Sequence, residues 1–227
     1  MKISQILMAG TASLILLGSC SKSSTDGTSA TAAGIQLQLT TSNPIVVVNK
    51  TTAGTITWTS GTAYATETKL EVKQNGSQLE FKASTPVQVN LFGSVITGLG
   101  NITIPAGTYT EVEYKISVNQ SGTIPALELN GQYTNNVGAV TPVVFNINSL
   151  FALKAEQSNI TVGANTSITA LTTLNLSSIS SGITQALMNS ATVSGGKITI
   201  SASSNVNLYN IIISNLLQFH HVDVTHH

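Results

Sequence analysis

Residues able to do acid–base chemistry are sparse in this chain. Glu111 and Glu113 are two positions apart, so a strand would point both to one face, as a carboxylate pair for hydrolysis requires. That face would also carry Lys115 and Ser117, which is typical of a solvated sheet surface. Serines are frequent, but there is no G-x-S-x-G elbow, and all four histidines lie in the last eight residues. The sequence predicts a protein that is not an enzyme, with no catalytic residue.

The histidines form the densest group of potential metal ligands, in the segment HHVDVTHH at residues 220–227. On an extended strand His221, Asp223 and His227 would share one face, a spacing that could bind zinc or copper given a further ligand and an open geometry. A solvated chain end would contain the same residues, because terminal residues are poorly ordered unless they are packed. We interpret the segment as a plain terminus and expect no metal site and no cofactor.

Cys20 is the only cysteine, and it follows an export signal. Lys2 gives the start of the chain a positive charge, an apolar run extends from Ile6 to Leu17, and the small residues Gly18 and Ser19 precede the cysteine. This is the layout of a secretory signal with a cleavage site. The apolar run is shorter than the ~20 residues that a membrane span requires. The sequence therefore predicts a signal peptide over residues 1–19.

The motif LGSC, which ends at Cys20, resembles the bacterial lipobox, in which a leucine and two small residues precede an invariant cysteine. The resemblance implies diacylglyceryl transfer to the Cys20 sulfur and cleavage after Ser19, with the membrane as partner. The alternatives are a plain secretory signal with an incidental cysteine and an uncleaved helix. Several acyl chains would hold the protein stably, whereas one chain binds only marginally. Ser21 in place of Asp resembles the sorting signal of outer-membrane lipoproteins, and periplasmic and surface orientations both stay open.

Composition predicts where the folded domain begins and which classes of protein are excluded. Residues 20–34 contain the lipidated cysteine and a Ser/Thr/Gly-rich segment typical of a flexible tether, so residues 35–227 are expected to form a single domain. The net charge is zero, and the nine lysines are scattered with no arginine, which argues against nucleic-acid binding. A 41% hydrophobic content rich in β-branched residues predicts a packed core of strands.

A β-hairpin is the clearest local prediction, in KLEVKQNGSQLEFKA at residues 69–83. Asn75-Gly76 is a dipeptide that a two-residue type I′ turn favours, because both central residues need positive φ. One face of the hairpin would be apolar, and on the other two glutamates would face each other, with diagonal lysines compensating. The predicted pairs are Val72 with Leu79, Leu70 with Phe81 and Glu71 with Glu80.

Other segments predict further strands and two helices. TYTEVEYKISV at 108–118 alternates with Val112, Tyr114, Ile116 and Val118 on one face. Further strand candidates are IQLQL, PIVVVN, GTITWTSG, ALELNGQYT, PVVFNIN, NITVG, TSITALTTLNL and KITIS. The helix candidates are SSISSGITQALMN, with serines as caps, and SNVNLYNIIISNLLQF, with Asn205 as cap. The predicted fold is mainly β: an antiparallel β-sandwich, Ig-like or transthyretin-like, with one or two short helices in the C-terminal third.

Residues 89–118, VNLFGSVITGLGNITIPAGTYTEVEYKISV, are similar to a segment of uncharacterised bacterial, Bacteroidota-like lipoprotein families. Their β-sandwich domain carries an (L/I)PAGTY turn followed by a long amphipathic strand. Here Pro105 and Gly107 would set the bend and Tyr109 would begin the strand. The later segment ITVGANTSITALTTLNLSSI also resembles their pattern, although they tend to carry Asp where this chain has Asn175. The resemblance implies a fold and a compartment, and it implies no activity.

Sugar-binding sandwiches present aromatic platforms, and aromatic residues make up only 5% of this chain. Trp58 alternates with Ile56 and is expected in the core, whereas Tyr64 and Tyr133 have polar neighbours and are surface candidates. We therefore expect a lipid-anchored protein of the outer membrane or cell envelope, with a structural or partner-binding role. The partner would be an envelope protein or a glycan. The alternative is a pilin-like or adhesin assembly subunit, ahead of a glycan-binding module or a metal-binding protein.

Overall fold

The computed structural model describes residues 32–47, 54–84, 86–93 and 98–218, together with the backbone of 222–226. The predicted signal peptide, Cys20 and most of the predicted tether lie outside these residues. β1 begins at Ala32, three residues before the predicted start of the domain, and Ala33 is already buried. The elements are β1 (Ala32–Ser42), β2 (Ile45–Val47), β3 (Thr55–Gln74), β4 (Ser77–Ala83), β5 (Val87–Asn90), β6 (Gly98–Pro105), β7 (Gly107–Val118), β8 (Leu127–Thr134), β9 (Val140–Ile147), β10 (Phe151–Val162), β11 (Ser167–Asn175), α1 (Leu176–Ile179), α2 (Gln185–Asn189), β12 (Val193–Ser194), β13 (Lys197–Ile200), α3 (Val206–Leu216) and β14 (Val222–His226).

The strands form two sheets. The small sheet has the order β14-β11-β1-β6, and the large sheet has the order β10-β7-β3-β8-β9-β13-β12, with β2, β4 and β5 also paired to β3. This confirms the predicted fold class, a mainly β sandwich whose strand pairs are mostly antiparallel. Two pairs, β1 with β11 and β13 with β9, are parallel. Parallel neighbours are joined through distant parts of the chain, so local alternation cannot reveal them.

The core lies on the inner faces of the strands. Alternate residues of β1 are buried, including Leu37 and Leu39, and so are alternate residues of β7, including Tyr114. Trp58 is 2% exposed, which confirms its predicted place in the core. It packs against the backbone of β8 at Gly131, where an added Cβ would lie 3.0 Å from the Trp58 Cα. The large sheet therefore contributes the tryptophan, and a glycine on the neighbouring strand leaves room for it.

The predicted hairpin is present with its predicted register. β3 and β4 pair Val72 with Leu79, Leu70 with Phe81 and Glu71 with Glu80. Asn75 has φ 50° and Gly76 has φ 78°, as a turn with two left-handed residues requires. The apolar face is not wholly covered, because Leu79 remains 39% exposed.

The PAGTY motif forms a corner between the two sheets. β6 of the small sheet ends at Pro105, and β7 of the large sheet begins at Gly107. The Tyr109 hydroxyl donates a 2.6 Å hydrogen bond back to the Pro105 carbonyl, and the Tyr109 side chain is fully buried. This hydrogen bond links β7, the strand after the corner, to the last residue of β6.

The helices differ in detail from the prediction, with three in the described residues instead of one or two. The first predicted helix is divided into α1 and α2, and Gly182 between them has φ 84°. The caps are Asn175, whose Oδ1 accepts from the Ser178 N–H, and Thr184, whose Oγ1 accepts from the Leu187 N–H. The serines predicted as caps do not have that role. Asn, Ser and Thr are all favoured capping residues, so composition alone could not select among them.

α3 begins directly after Asn205, as predicted, but Asn205 does not cap it with its side chain. Its backbone is left-handed, with φ 49°. Its amide group instead donates to the carbonyls of Thr192 and Thr199 and accepts from the Thr192 N–H. The Asn205 side chain therefore forms hydrogen bonds with the β12–β13 region in place of a capping bond to the first turn of α3.

Candidate functional site: the charged face of the large sheet

The outer face of the large sheet gathers charged side chains from four neighbouring strands, in the order β4-β3-β7-β10. Directly opposite residues form two rows that cross the strands. The lysine row consists of Lys82, Lys69, Lys115 and Lys154. The glutamate row consists of Glu80, Glu71, Glu113 and Glu156.

A third row beside the glutamates is mixed. It consists of Gln78, Lys73, Glu111 and Ser158. The three rows, which we call the charged face, hold ten of the eighteen Lys, Asp and Glu residues of the chain. More than half of the charged residues are thus on one side of one sheet, and the other eight are scattered along the chain.

Contacts between the lysine and glutamate rows balance the repulsion within each. Like charges directly opposite each other on a sheet are unfavourable, and diagonal neighbours of opposite sign compensate. The Lys69 ammonium contacts the carboxylates of both Glu71 and Glu80. Lys82 adds a second contact to Glu80, with Nζ and Oε1 3.0 Å apart. Lys73 and Lys82 were predicted to compensate diagonally across the hairpin, but Lys82 contacts Glu80 of its own strand and Lys73 pairs with Glu111 of β7. The diagonal contact across the hairpin comes from Lys69 to Glu80.

The two glutamates considered as a catalytic pair, Glu111 and Glu113, belong to this pattern. Lys73 donates to both oxygens of Glu111 at 2.7 Å. Lys154 lies 3.3 Å from a Glu113 oxygen. Each carboxylate is thus paired with its own lysine from a neighbouring strand, in a partly or fully exposed position. This is the arrangement of a solvated ionic surface and not of a cleft that positions a substrate.

The pKa shifts on the charged face favour permanent charge. The hydrogen bond from Lys69 holds the pKa of Glu71 below its usual value. The same lysine, with Lys82, lowers the pKa of Glu80. The bonds to these two carboxylates raise the pKa of Lys69. A general acid at neutral pH needs a carboxyl whose pKa is raised, so these shifts run opposite to what acid catalysis requires.

A surface pocket lies between α2 and the start of α3. Its cavity volume is about 200 Å³, below the range of roughly 300–1,000 Å³ that is usual for small-molecule sites. The lining residues are Leu187, Ser190, Ala191, Asn205, Val206, Asn207 and Leu208. None of them is ionisable or nucleophilically activated, so the pocket has no groups for acid–base chemistry.

The aromatic residues considered for sugar binding do not form a platform. Tyr133 is 3% exposed, and its hydroxyl donates to Asn189 Oδ1 at 2.8 Å, so its prediction as a surface residue is wrong. The reason is tertiary: the hydroxyl of Tyr133 finds its partner on α2, which is 56 residues away in the chain. Tyr64 is partly exposed on β3.

The histidine-rich end joins the small sheet. The backbone of Val222–His226 pairs antiparallel with β11, so this segment is not the frayed end that we expected. His220, His221 and His227 lie outside the described residues, as do the side chains of β14. Within the described side chains, no group of three or more His, Cys, Asp or Glu residues is arranged to hold a metal ion.

Two further observations concern the chain as a whole. None of the helices in the described ranges has the length and apolar character to cross a bilayer. A scan against protein-family models, a search of curated proteins and a search of solved structures each returned no match.

Proposed function

We propose that the protein is a lipid-anchored β-sandwich of the bacterial cell envelope with a structural or partner-binding role and no catalytic one. The observation that carries this proposal is the motif LGSC at residues 17–20, at the end of a signal-peptide pattern, with the only cysteine of the chain. Lipid attached to Cys20 would hold the domain at a membrane, and Ser21 favours the outer membrane. The residues between Cys20 and β1 would separate the domain from the lipid headgroups.

The charged face supports the non-catalytic part of the proposal. Glu111 and Glu113, the pair best placed by sequence for hydrolysis, are each engaged by a lysine of a neighbouring strand. The pocket beside α3 is lined by amide, hydroxyl and aliphatic groups. Surfaces of this kind suit recognition of another macromolecule better than chemistry on a small substrate.

Replacing Cys20 tests the anchor. The Cys20→Ala variant has no sulfur to acylate, so we expect it to lose incorporated fatty acid and to move from the membrane fraction to the soluble exported fraction. The matched control is Ser23→Ala, which changes the same tether and leaves the cysteine in place. Metabolic labelling with a fatty acid, followed by fractionation and mass spectrometry of the N-terminal peptide, gives the measurement. A Cys20→Ala protein that still fractionates wholly with membranes would refute the anchor.

A pilin-like or adhesin assembly subunit is the second candidate, and the observation that favours it is the outer edge of β10. Subunits of such assemblies join by pairing strands between chains. β10 is twelve residues long and forms one end of the large sheet. Electron microscopy of the purified protein would test it, since filaments are expected from an assembly subunit and not from a single anchored domain.

A further inference from the structure

β10 is an edge strand of considerable length. It pairs with β7 from Phe151 to Val162, and no other strand in the described ranges pairs with its second side. An unpaired edge is a template for another strand, and proteins usually block it with a lysine, a bulge or both. β10 carries Lys154 in its first half and a left-handed residue, Asn159 with φ 57°, at the one position that is left out of an otherwise continuous register with β7. It also carries Glu156, two residues from the lysine and on the same face, and this makes the edge complementary to itself.

We propose that two copies of this chain pair edge to edge through β10, antiparallel and centred on Ala155. In this register Lys154 of each copy lies opposite Glu156 of the other, because antiparallel partners at equal distances from the centre face each other. The lysine row of one copy then continues into the glutamate row of the second copy. The small Ala155 side chains meet at the two-fold axis, where they permit close approach of the strands.

The charges select this register over its neighbours. A shift of the centre to Lys154 would place two lysines opposite each other, and a shift to Glu156 would place two glutamates opposite each other. Like charges directly opposite are destabilising on a sheet. If the two-fold axis fell between two residues, inward-facing residues of one strand would lie opposite outward-facing residues of the other. The inner face of one copy would then be on the same side as the outer face of its partner. Of these registers, only the one centred on Ala155 keeps the inner faces of the two copies on one side and places lysine opposite glutamate at both contacts.

The resulting dimer should be reversible and sensitive to salt. Exposed ion pairs add little affinity, and their main contribution is to orientation and register. Main-chain hydrogen bonds of the added strand supply the attraction. The left-handed backbone of Asn159 interrupts the extended conformation, so regular pairing is expected in the part of β10 before it. One strand pair also buries less than the roughly 1,600 Å² of a standard stable interface.

Charge reversal tests the pairing, and all variants are made in the full chain carrying Cys20→Ala, so the result does not depend on the proposed anchor. In a dimer of Lys154→Glu, a glutamate of each copy lies opposite a glutamate of the other at both contacts. In a dimer of Glu156→Lys, a lysine lies opposite a lysine at both contacts. We expect each to weaken self-association about tenfold or more by sedimentation velocity at low salt. A mixture of the two variants restores opposite charges at both contacts, so it should associate like the unreversed protein. The control is Lys197→Glu on β13, the same charge change on a distant strand.

Cysteine cross-linking tests the register. Cys20→Ala leaves no native cysteine. Ala152→Cys in one copy and Ser158→Cys in the other would lie directly opposite each other, at a separation suited to a disulfide. Each variant alone would hold its two cysteines six residues apart along the strands, about 20 Å and beyond reach. We expect oxidation to yield a cross-linked dimer in the mixture and not in either variant alone.

Both experiments can overturn the proposal. Unchanged association of the single charge variants, or a mixture no better than either one, would show that β10 does not pair in this way. Equal cross-linking in all samples would exclude the register centred on Ala155. A protein that stays monomeric at every concentration would show that Lys154 and the left-handed Asn159 block the edge. Thermal unfolding of each variant verifies that it is folded.

Discussion

The two sheets of the sandwich have different outer surfaces. The large sheet carries the charged face on β4, β3, β7 and β10. The ion pairs made by the lysine row are all with carboxylates of the glutamate row. β1, β6 and β11 of the small sheet contain no charged residue, and their outward positions hold residues such as Gln36, Thr169 and Thr103. Ion pairs therefore link the outer side chains of the large sheet, while the outer positions of β1, β6 and β11 offer none.

The inner faces differ as well. The largest buried side chains of the large sheet are aromatic, Trp58, Tyr109, Tyr114 and Phe145. β1, β6 and β11 have no aromatic residue, and their buried positions are aliphatic, including Leu37, Leu39 and Ile104. Large flat side chains need matching space on neighbouring strands, whereas aliphatic side chains adapt more readily. The large sheet should therefore be the less tolerant of changes in volume.

The largest effect is expected from glycine substitutions that compare the two sheets. A Cβ at Gly131 of β8 would lie 2.4 Å from the Thr57 carbonyl oxygen and 3.0 Å from the Trp58 Cα, so backbone would have to move. We expect Gly131→Ala to destabilise the protein by at least about 2 kcal/mol. Gly34 of β1 has nothing within 4 Å of an added Cβ, so Gly34→Ala is the matched control and should change stability by less than about 0.5 kcal/mol. Urea unfolding measures both, and equal losses would contradict the comparison.

A smaller effect is expected at the turn of the charged hairpin. Gly76 has φ 78°, a conformation that a β-branched residue does not readily adopt. Gly76→Val should destabilise the protein by about 1 kcal/mol or more. Gly76→Asn is the control, because asparagine tolerates the left-handed region, and it should cost clearly less than valine. The measurement is the denaturation midpoint, and similar midpoints for the two variants would argue against a conformational cause.

Sequence reasoning predicted the parts of the fold that depend on neighbouring residues. Alternation and Asn75-Gly76 determined the pairing of β3 with β4, and the PAGTY motif marked the bend before β7. The charged face was partly visible, because LEVK, LEFK and EVEYK each alternate, whereas the part of β10 that carries Lys154 and Glu156 was not among the predicted strands. Their assembly into rows depends on which strands are adjacent, and this follows from chain topology and not from any one segment.

The misplaced details share one physical cause. Asn205 was expected to cap α3, but its side chain bonds to Thr192 and Thr199 of the neighbouring hairpin. Tyr133 was expected at the surface, but it is buried, and its hydroxyl donates a hydrogen bond to Asn189 of α2. In both cases a polar group had a local role available and made a tertiary contact instead. Single-sequence reasoning sees the local role and not the competing partner.

The smallest expected effect is a response to acid that is confined to the charged face. Hydrogen bonds from Lys69 hold the pKa values of Glu71 and Glu80 below the ordinary 4.5. A carboxyl whose pKa is lower in the folded state stabilises the protein above the unfolded value, and this contribution is lost as pH falls through the folded pKa. Stability should therefore decrease below about pH 4.5, with β1, β6 and β11 contributing nothing because they have no ionisable side chain.

Lys69→Met isolates this response, because it removes the cation that lowers both pKa values. We expect the drop in the urea midpoint between neutral and acid pH to be smaller in Lys69→Met than in the unsubstituted protein. All other carboxyls titrate in both proteins and cancel in the difference. Lys197→Met on β13 is the control and should keep the full drop. Because the pairs are partly exposed and salt screens them, the difference should also shrink at high ionic strength. An equal drop in all three proteins would mean that the contacts of Lys69 with its two glutamates do not stabilise the large sheet.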